Sequence, residues 1–302
     1  MPETGSRPLI RVEDVIAALM IIPSLWVTSP SEYYSLFNGS LILSKHTTAL
    51  ILLFIFALLA ALYENRIQRI VDTIKSGVKI PEVTIQDQTV HLWKTKFKVL
   101  NSIRDYLPFL LCMLAYHRLV TMVPHSPNEG LDKIFMQIDA VVINNFRHYI
   151  MIKVGPHKWF NDFLHLFYKT YIIAVPFVAI YLYTFKEYKK FREFLLAIVV
   201  GLILSIVVDI FLPSVGTDVI TKKFQVHWDG TISIPSLYTA IVLFYSIKVG
   251  KTLTFFFLPV AILFFVADIL SFSNYFSAVV ISILVALVSI PLARLLMWRK
   301  KA

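Results

Sequence analysis

The chain has 302 residues, 57% of them hydrophobic and 16% charged, with a net charge of +10. A soluble domain carries about 25% charged residues, so a chain with a mean hydropathy of +0.71 cannot hide its apolar surface as a globule in water. The lysines and arginines lie between apolar runs, which is the pattern of basic loops in a membrane protein and not of a nucleic-acid surface.

The expected fold class is all-α: a polytopic transmembrane helical bundle of about seven or eight spans, with an outer interfacial helix and a small cytoplasmic insertion. Met1 to Pro8 is polar and shows no small-residue cleavage site, so the first helix is expected to act as its own signal. Apolar runs long enough to span begin with residues 13–29 and 47–63, an N-terminal transmembrane hairpin over residues 1–63. The first run is the weakest, being short, opened by Asp14 and interrupted by Pro23. A re-entrant or interfacial segment is the alternative there. Asn38-Gly39-Ser40 fits a glycosylation sequon on the outer side.

Residues 64–104 form the cytoplasmic segment. Ile67, Ile70, Val71 and Ile74 repeat at helical spacing, and alternation in 81–85 and 89–92 around Gln86-Asp87-Gln88 predicts a small hairpin. The membrane domain takes residues 105–302, with spans at 106–124, 168–185, 194–213, 233–248, 252–271 and 276–297. Between the first two, Leu131, Ile134, Phe135, Ile138, Val142 and Phe146 mark an amphipathic helix over 131–152 in the outer interface. The lone Cys112 sits in an apolar run and allows no intrachain disulfide.

Basic residues set the orientation. They crowd 64–105, the turn with Lys186, Lys189, Lys190 and Arg192, the turn with Lys248 and Lys251, and the tail with Arg299, Lys300 and Lys301. With eight spans these regions and both termini fall on the cytoplasmic side. The opposite side, outside or lumenal, is poorer except for 125–165, which holds Lys133, Arg147, Lys153 and Lys158.

Ile234-Pro235-Ser236-Leu237-Tyr238 opens one span at its outer end, and Asn274-Tyr275-Phe276-Ser277-Ala278 follows in the next outer turn. Upstream stand Arg104-Asp105-Tyr106-Leu107-Pro108-Phe109, Trp159-Phe160-Asn161-Asp162 and Leu212-Pro213. In these blocks, over roughly residues 100–297, the chain resembles the phosphatidic acid phosphatase type 2 superfamily in its inositol phosphorylceramide synthase (aureobasidin-resistance) branch. That resemblance implies phosphoryl transfer at the outer face. In the family one histidine attacks the lipid phosphate, an aspartate orients it, and a second histidine protonates the leaving alcohol.

The sequence departs from the pattern at the chemical groups. Tyr238 stands at the general-acid histidine, Asn274 at the nucleophile and Ala278 at the orienting aspartate. Thr170-Tyr171 and Gly216-Thr217-Asp218 replace two further family pieces. An asparagine amide forms no phospho-enzyme, and loss of the nucleophile removes nearly all the rate of such a unit. The resemblance therefore implies a divergent or non-catalytic member that binds or handles a phosphorylated membrane lipid, with no confident catalytic residue. Its expected ligand set is Ser236, Tyr238, Asn274, Tyr275, Arg147, Lys222 and Lys223.

Two other readings stay open. One is an active phosphotransferase or phosphatase that uses His227 and Asp229, which flank Trp228 just outside a span. The other is a lipid transporter or scramblase on the same bundle. Asp209 and Asp268 lie inside apolar runs, where a carboxylate is costly and is paired or functional. Both are expected near the outer surface, with water in reach of Asp268. His117, His125, His148, His157, His165 and His227 are scattered, without a metal-ligand spacing, so no metal or other cofactor is expected. No nucleic-acid partner is expected, and a membrane-protein partner stays open.

Overall fold

Backbone amides in a hydrocarbon layer have no water to bond, so long apolar runs close their hydrogen bonds within the segment, as helices. A computed structural model describes residues 11–26, 104–112, 115–116, 119, 129–153, 159, 162, 174–183, 185, 187–212, 232–270 and 275–298. Every regular element among the described residues is an α-helix. In chain order these include α1 (Val12–Trp26), α2 (Glu129–Val142), α3 (Asn144–Lys153), α4 (Tyr188–Phe211), α5 (Ile234–Val249), α6 (Lys251–Leu270) and α7 (Phe276–Trp298).

Length separates the candidate spans. The 24 residues of α4, 20 of α6 and 23 of α7 reach about 30 Å or more at ~1.5 Å per residue, enough to cross a hydrocarbon core of about 30 Å. These three helices are long and apolar enough to span, and the chain is a membrane-embedded protein. The 16 residues of α5 reach only ~24 Å, so the run at 233–248 gives a helix shorter than a full span, while of the run at 13–29 the described residues give the 15-residue α1. The apolar helix Ala174–Tyr183 occupies part of the expected span at 168–185. The expected span at 47–63 and the hairpin at 81–92 lie outside the described residues, as do residues 113–114, 117–118 and 120–124 of the run at 106–124.

The chain forms two compact units: residues 1–119 with 295–302, and residues 120–294. In the first, Arg11 is buried just before α1. Its backbone N–H donates to Asp14 at 2.8 Å and its guanidinium to Asp105 at 2.6 Å. Tyr106, Phe109 and Cys112 are buried beyond that ion pair. The Arg-Asp-Tyr-Leu-Pro-Phe block thus anchors a helix start.

In the second unit α4 is the core. Its residues Glu193 to Leu202 are buried in succession, as befits a helix apolar on all sides. The exposed set is equally telling: Phe255 at 77%, Phe256, Leu284, Leu287 and Ile262 all face outward. The interior holds Ser205, Ser246, Ser282 and Ser289, all fully buried. Each serine hydroxyl donates to a carbonyl of its own helix: Leu202, Val242, Ala278 and Ala286 in turn. Large apolar side chains outside and small polar ones inside is the arrangement that lipid as solvent selects, because small residues let helices approach closely.

The segment expected as one amphipathic helix over 131–152 is two helices, α2 and α3, parted at Ile143. Ile134, Ile138, Val141, Val142 and Phe146 are exposed, while Asp132, Phe135 and Asp139 are buried. The acids share the inward face of α2 with Phe135 because positions three, four and seven apart align on a helix.

Gly201 of α4 packs against Leu237 and Ile241 of α5. A Cβ there would stand 3.3 Å from Leu237 Cδ1 and 3.4 Å from Ile241 Cδ1. Gly201→Leu is expected to destabilise the fold by about 1–3 kcal/mol through overpacking. A thermal melt in detergent, beside an exposed-face control such as Leu284→Ala, checks it.

Candidate functional site

The start of α5 is written in its sequence. Ser233 is the N-cap: its hydroxyl oxygen accepts from the Ser236 N–H at 3.4 Å, and a proline stands in the first turn. Both features favour a helix start. The same Ser233 hydroxyl donates to Asp268 on α6, and so does the Ser236 hydroxyl. The Ser233 N–H donates to Ser282 Oγ on α7 at 2.8 Å, and Ser282 donates onward to the Ala278 carbonyl at 2.6 Å. Three helix ends are thus joined by one buried carboxylate and three hydroxyls.

Asp268 is 1% exposed, which corrects the expectation that water reaches it. Two hydroxyl donors and the positive end of the α5 dipole replace that water. Asp209, also expected near the surface, is half-buried near the end of α4.

Beside this network lies a second cluster, around the first turn of α7. Both carboxylate oxygens of Asp139 accept from the Phe276 N–H at 3.0 Å, so an acid on α2 caps α7. Phe135 and Tyr275 pack with ring centroids 5.6 Å apart, and Ala278 is fully buried against them. The Tyr275 hydroxyl lies buried beside the Asp132 carboxylate without a well-formed hydrogen bond. Burial, then the negative charges of Asp132 and Asp139, push the Tyr275 phenol above its usual range. The Ser277 hydroxyl is buried with no hydrogen-bond partner among the described residues.

Of the residues singled out from sequence, the structure brings Ser236 to Asp268 and Tyr275 to Ala278. Tyr238 is buried within α5. Arg147 lies on α3, and Trp159 and Asp162 are exposed. Asn274, His227, Asp229, Lys222 and Lys223 lie outside the described residues. Among the described residues no group of histidine, cysteine and acidic side chains has the makings of a metal site. Sequence reasoning missed Ser233, Asp132 and Asp139. The Ser-x-Pro helix-start signal could have found Ser233. The recurrence of Asp132 and Asp139 on the Phe135 face could have found the acids.

Chemically, the Asp268 network is an anchor. A serine hydroxyl bonded straight to a carboxylate has no imidazole to take its proton. Compared with known proteins, the chain matches no family model, no curated protein and no solved structure.

Two outcomes are expected. Asp268→Ala leaves the Ser233 and Ser236 hydroxyls without their acceptor and should cost about 1–3 kcal/mol. Asp268→Asn keeps a carbonyl acceptor and should cost less, as thermal melts of the two variants will read. The second concerns pH. A phenol whose folded-state value is raised contributes stability that is complete below the unfolded value near pH 10 and is lost as pH rises above it. Wild type should therefore lose stability above about pH 10 more steeply than Tyr275→Phe, in parallel melts across that range.

Proposed function

We propose that this integral membrane protein carries the scaffold of a lipid headgroup phosphotransferase and handles a phosphorylated lipid at its outer face without histidine-based phosphoryl transfer. The observation that carries the reading is the state of the would-be catalytic positions. Ala278 is fully buried against Phe135 and Tyr275, and Tyr238 is buried within its helix. A reacting phosphate needs an open site about 3 Å from nucleophile and donors, and these positions are packed instead. Asn274 adds a side chain with no nucleophilic chemistry.

The basic residues of the outer segments, Arg147, Lys222 and Lys223, would supply the attraction for a phosphomonoester. Ser236, Tyr238, Asn274 and Tyr275 complete the ligand set that the resemblance implies. Tyr238 and Tyr275 are both buried, so in that set they would shape the pocket floor and the lysines would meet the charge.

The test is twofold. Purified protein is given a panel of lipid phosphates and phosphate or headgroup release is followed. The expected result is no release, with phosphatidic acid retained over phosphatidylcholine, and about a 10-fold loss of that preference in a Lys222→Ala, Lys223→Ala variant. Release by wild type that disappears in His227→Ala would overturn the non-catalytic reading in favour of a relocated active site built on His227 and Asp229. Equal retention of both lipids would remove the lipid-phosphate role altogether.

A further inference from the structure

At the other end of α5, three helices meet on one acid. Glu193 of α4 has a side chain only 6% exposed. Lys248 of α5 donates to it at 2.8 Å, and Arg294 of α7 donates to the same oxygen through Nε. The two cations rest on aromatic rings, Lys248 Nζ 5.4 Å from the centroid of Tyr245 and Arg294 Cζ 5.3 Å from that of Phe244. Ring faces hold cations in place and shield one side of them.

The arrangement leaves charge over. One carboxylate faces two cations, so the cluster carries a net charge of +1. Glu193 is nearly closed to solvent, while the Lys248 and Arg294 side chains are 30% and 44% exposed. Arg294 grips the acid by Nε, so its two terminal nitrogens, the fork that matches a phosphate, have no protein partner among the described residues. Lys248 uses one of its three donors on Glu193.

The surroundings add to the excess. Lys189, Lys190 and Arg192 stand at the start of α4, and Lys251 opens α6. Among the described residues of the second unit the acids at this end are Glu193 and Glu187, and Glu187 pairs with Lys190 at 3.1 Å. Beside the cations Ile247, Phe255 and Phe256 are exposed. A ligand with an anionic head and apolar tails fits both features at once, whereas a free phosphate uses only the first.

We propose that Lys248 and Arg294 form a docking site for the headgroup of an anionic glycerophospholipid, in the leaflet opposite the Ser233–Asp268 network. Glu193 positions the two cations and sets how much positive charge remains for the lipid. The site does not rest on the outer-face reading, since Ser233 and Lys248 mark opposite ends of α5.

The experiment titrates the full-length protein with dioleoylphosphatidylglycerol and with dioleoylphosphatidylcholine and reads bound lipid on the folded protein by native mass spectrometry. Phosphatidylglycerol should be retained over phosphatidylcholine, and inorganic phosphate at equal concentration should not displace it. Lys248→Met should lower the preference about 5-fold, the share of one lysine near an anionic headgroup. Glu193→Gln keeps both cations and raises the local charge, so it should strengthen phosphatidylglycerol binding even where it lowers the melting temperature. A purely structural clasp gives a different pattern: Glu193→Gln weakens binding or leaves the preference unchanged, and Lys248→Met changes stability alone. Either of those results overturns the proposal. The Lys222→Ala, Lys223→Ala variant should leave phosphatidylglycerol binding intact, which separates this site from the outer one.

Discussion

An ionised carboxylate taken out of water and left unpaired costs several kcal/mol, and inside a bilayer there is no solvent to relieve it. That penalty decides how the second unit is joined. Three of its buried acids are answered from another helix. Glu193 of α4 is met by Lys248 of α5 and Arg294 of α7. Asp268 of α6 is met by two hydroxyls at the start of α5. Asp139 of α2 is met by the first N–H of α7. Breaking any one pair strands a charge, so the acids fix which helices are neighbours more firmly than apolar contact can. Apolar contact between helices gains little here, because lipid tails are as apolar as leucine.

The joints sit at helix ends, and the middles are filled by small residues. Gly201 and the self-bonded serines keep the helix axes close without adding an unsatisfied polar group. The result is a bundle pinned at both ends of α5: by Ser233, Ser236 and Asp268 at its start, by Lys248 and Glu193 at its finish. A helix of 16 residues is shorter than the hydrocarbon layer, and its polar pins explain how it stays seated. Both ends find hydrogen-bonding partners within the protein.

Local signals made much of this legible in the sequence. Length and hydropathy placed α4, α6 and α7, and Ser233-Ile234-Pro235-Ser236 announces a helix start to any reader of caps. An aspartate within an apolar run announces a buried partner, and Asp268 has two. What it does not announce is depth: Asp268 lies near a helix end yet is closed to water, because the start of a different helix covers it. Glu193 was hidden in plain view, since it follows a basic turn and reads as part of a solvated face. Its partners lie 55 and 101 residues away, and nothing local encodes a pairing over such separations. Asp132 and Asp139 drew no reading of their own, because the helical spacing of 131–152 rests on its apolar residues alone. On a helix in water the polar side faces out. On a helix with lipid on one side and protein on the other the rule reverses, and the acids face the protein.

That reversal bears on the proposed loss of chemistry. In the family whose scaffold we propose for this chain, the turn before the last span supplies a nucleophile and an orienting carboxylate. Here the carboxylates at that turn come from α2, and they act on the turn itself: Asp139 caps Phe276, and Asp132 lies beside the Tyr275 hydroxyl. Ala278, with no side chain beyond Cβ, lets Phe135 close over the turn. An aspartate at position 278 would meet Phe135 and stand near two existing acids, a like-charge crowding that a buried site tolerates poorly. On the proposed reading, position 278 is therefore not a vacancy awaiting an aspartate. The packing of α2 against α7 depends on Ala278, so on that reading phosphoryl-transfer chemistry here would require moving a helix as well as changing side chains.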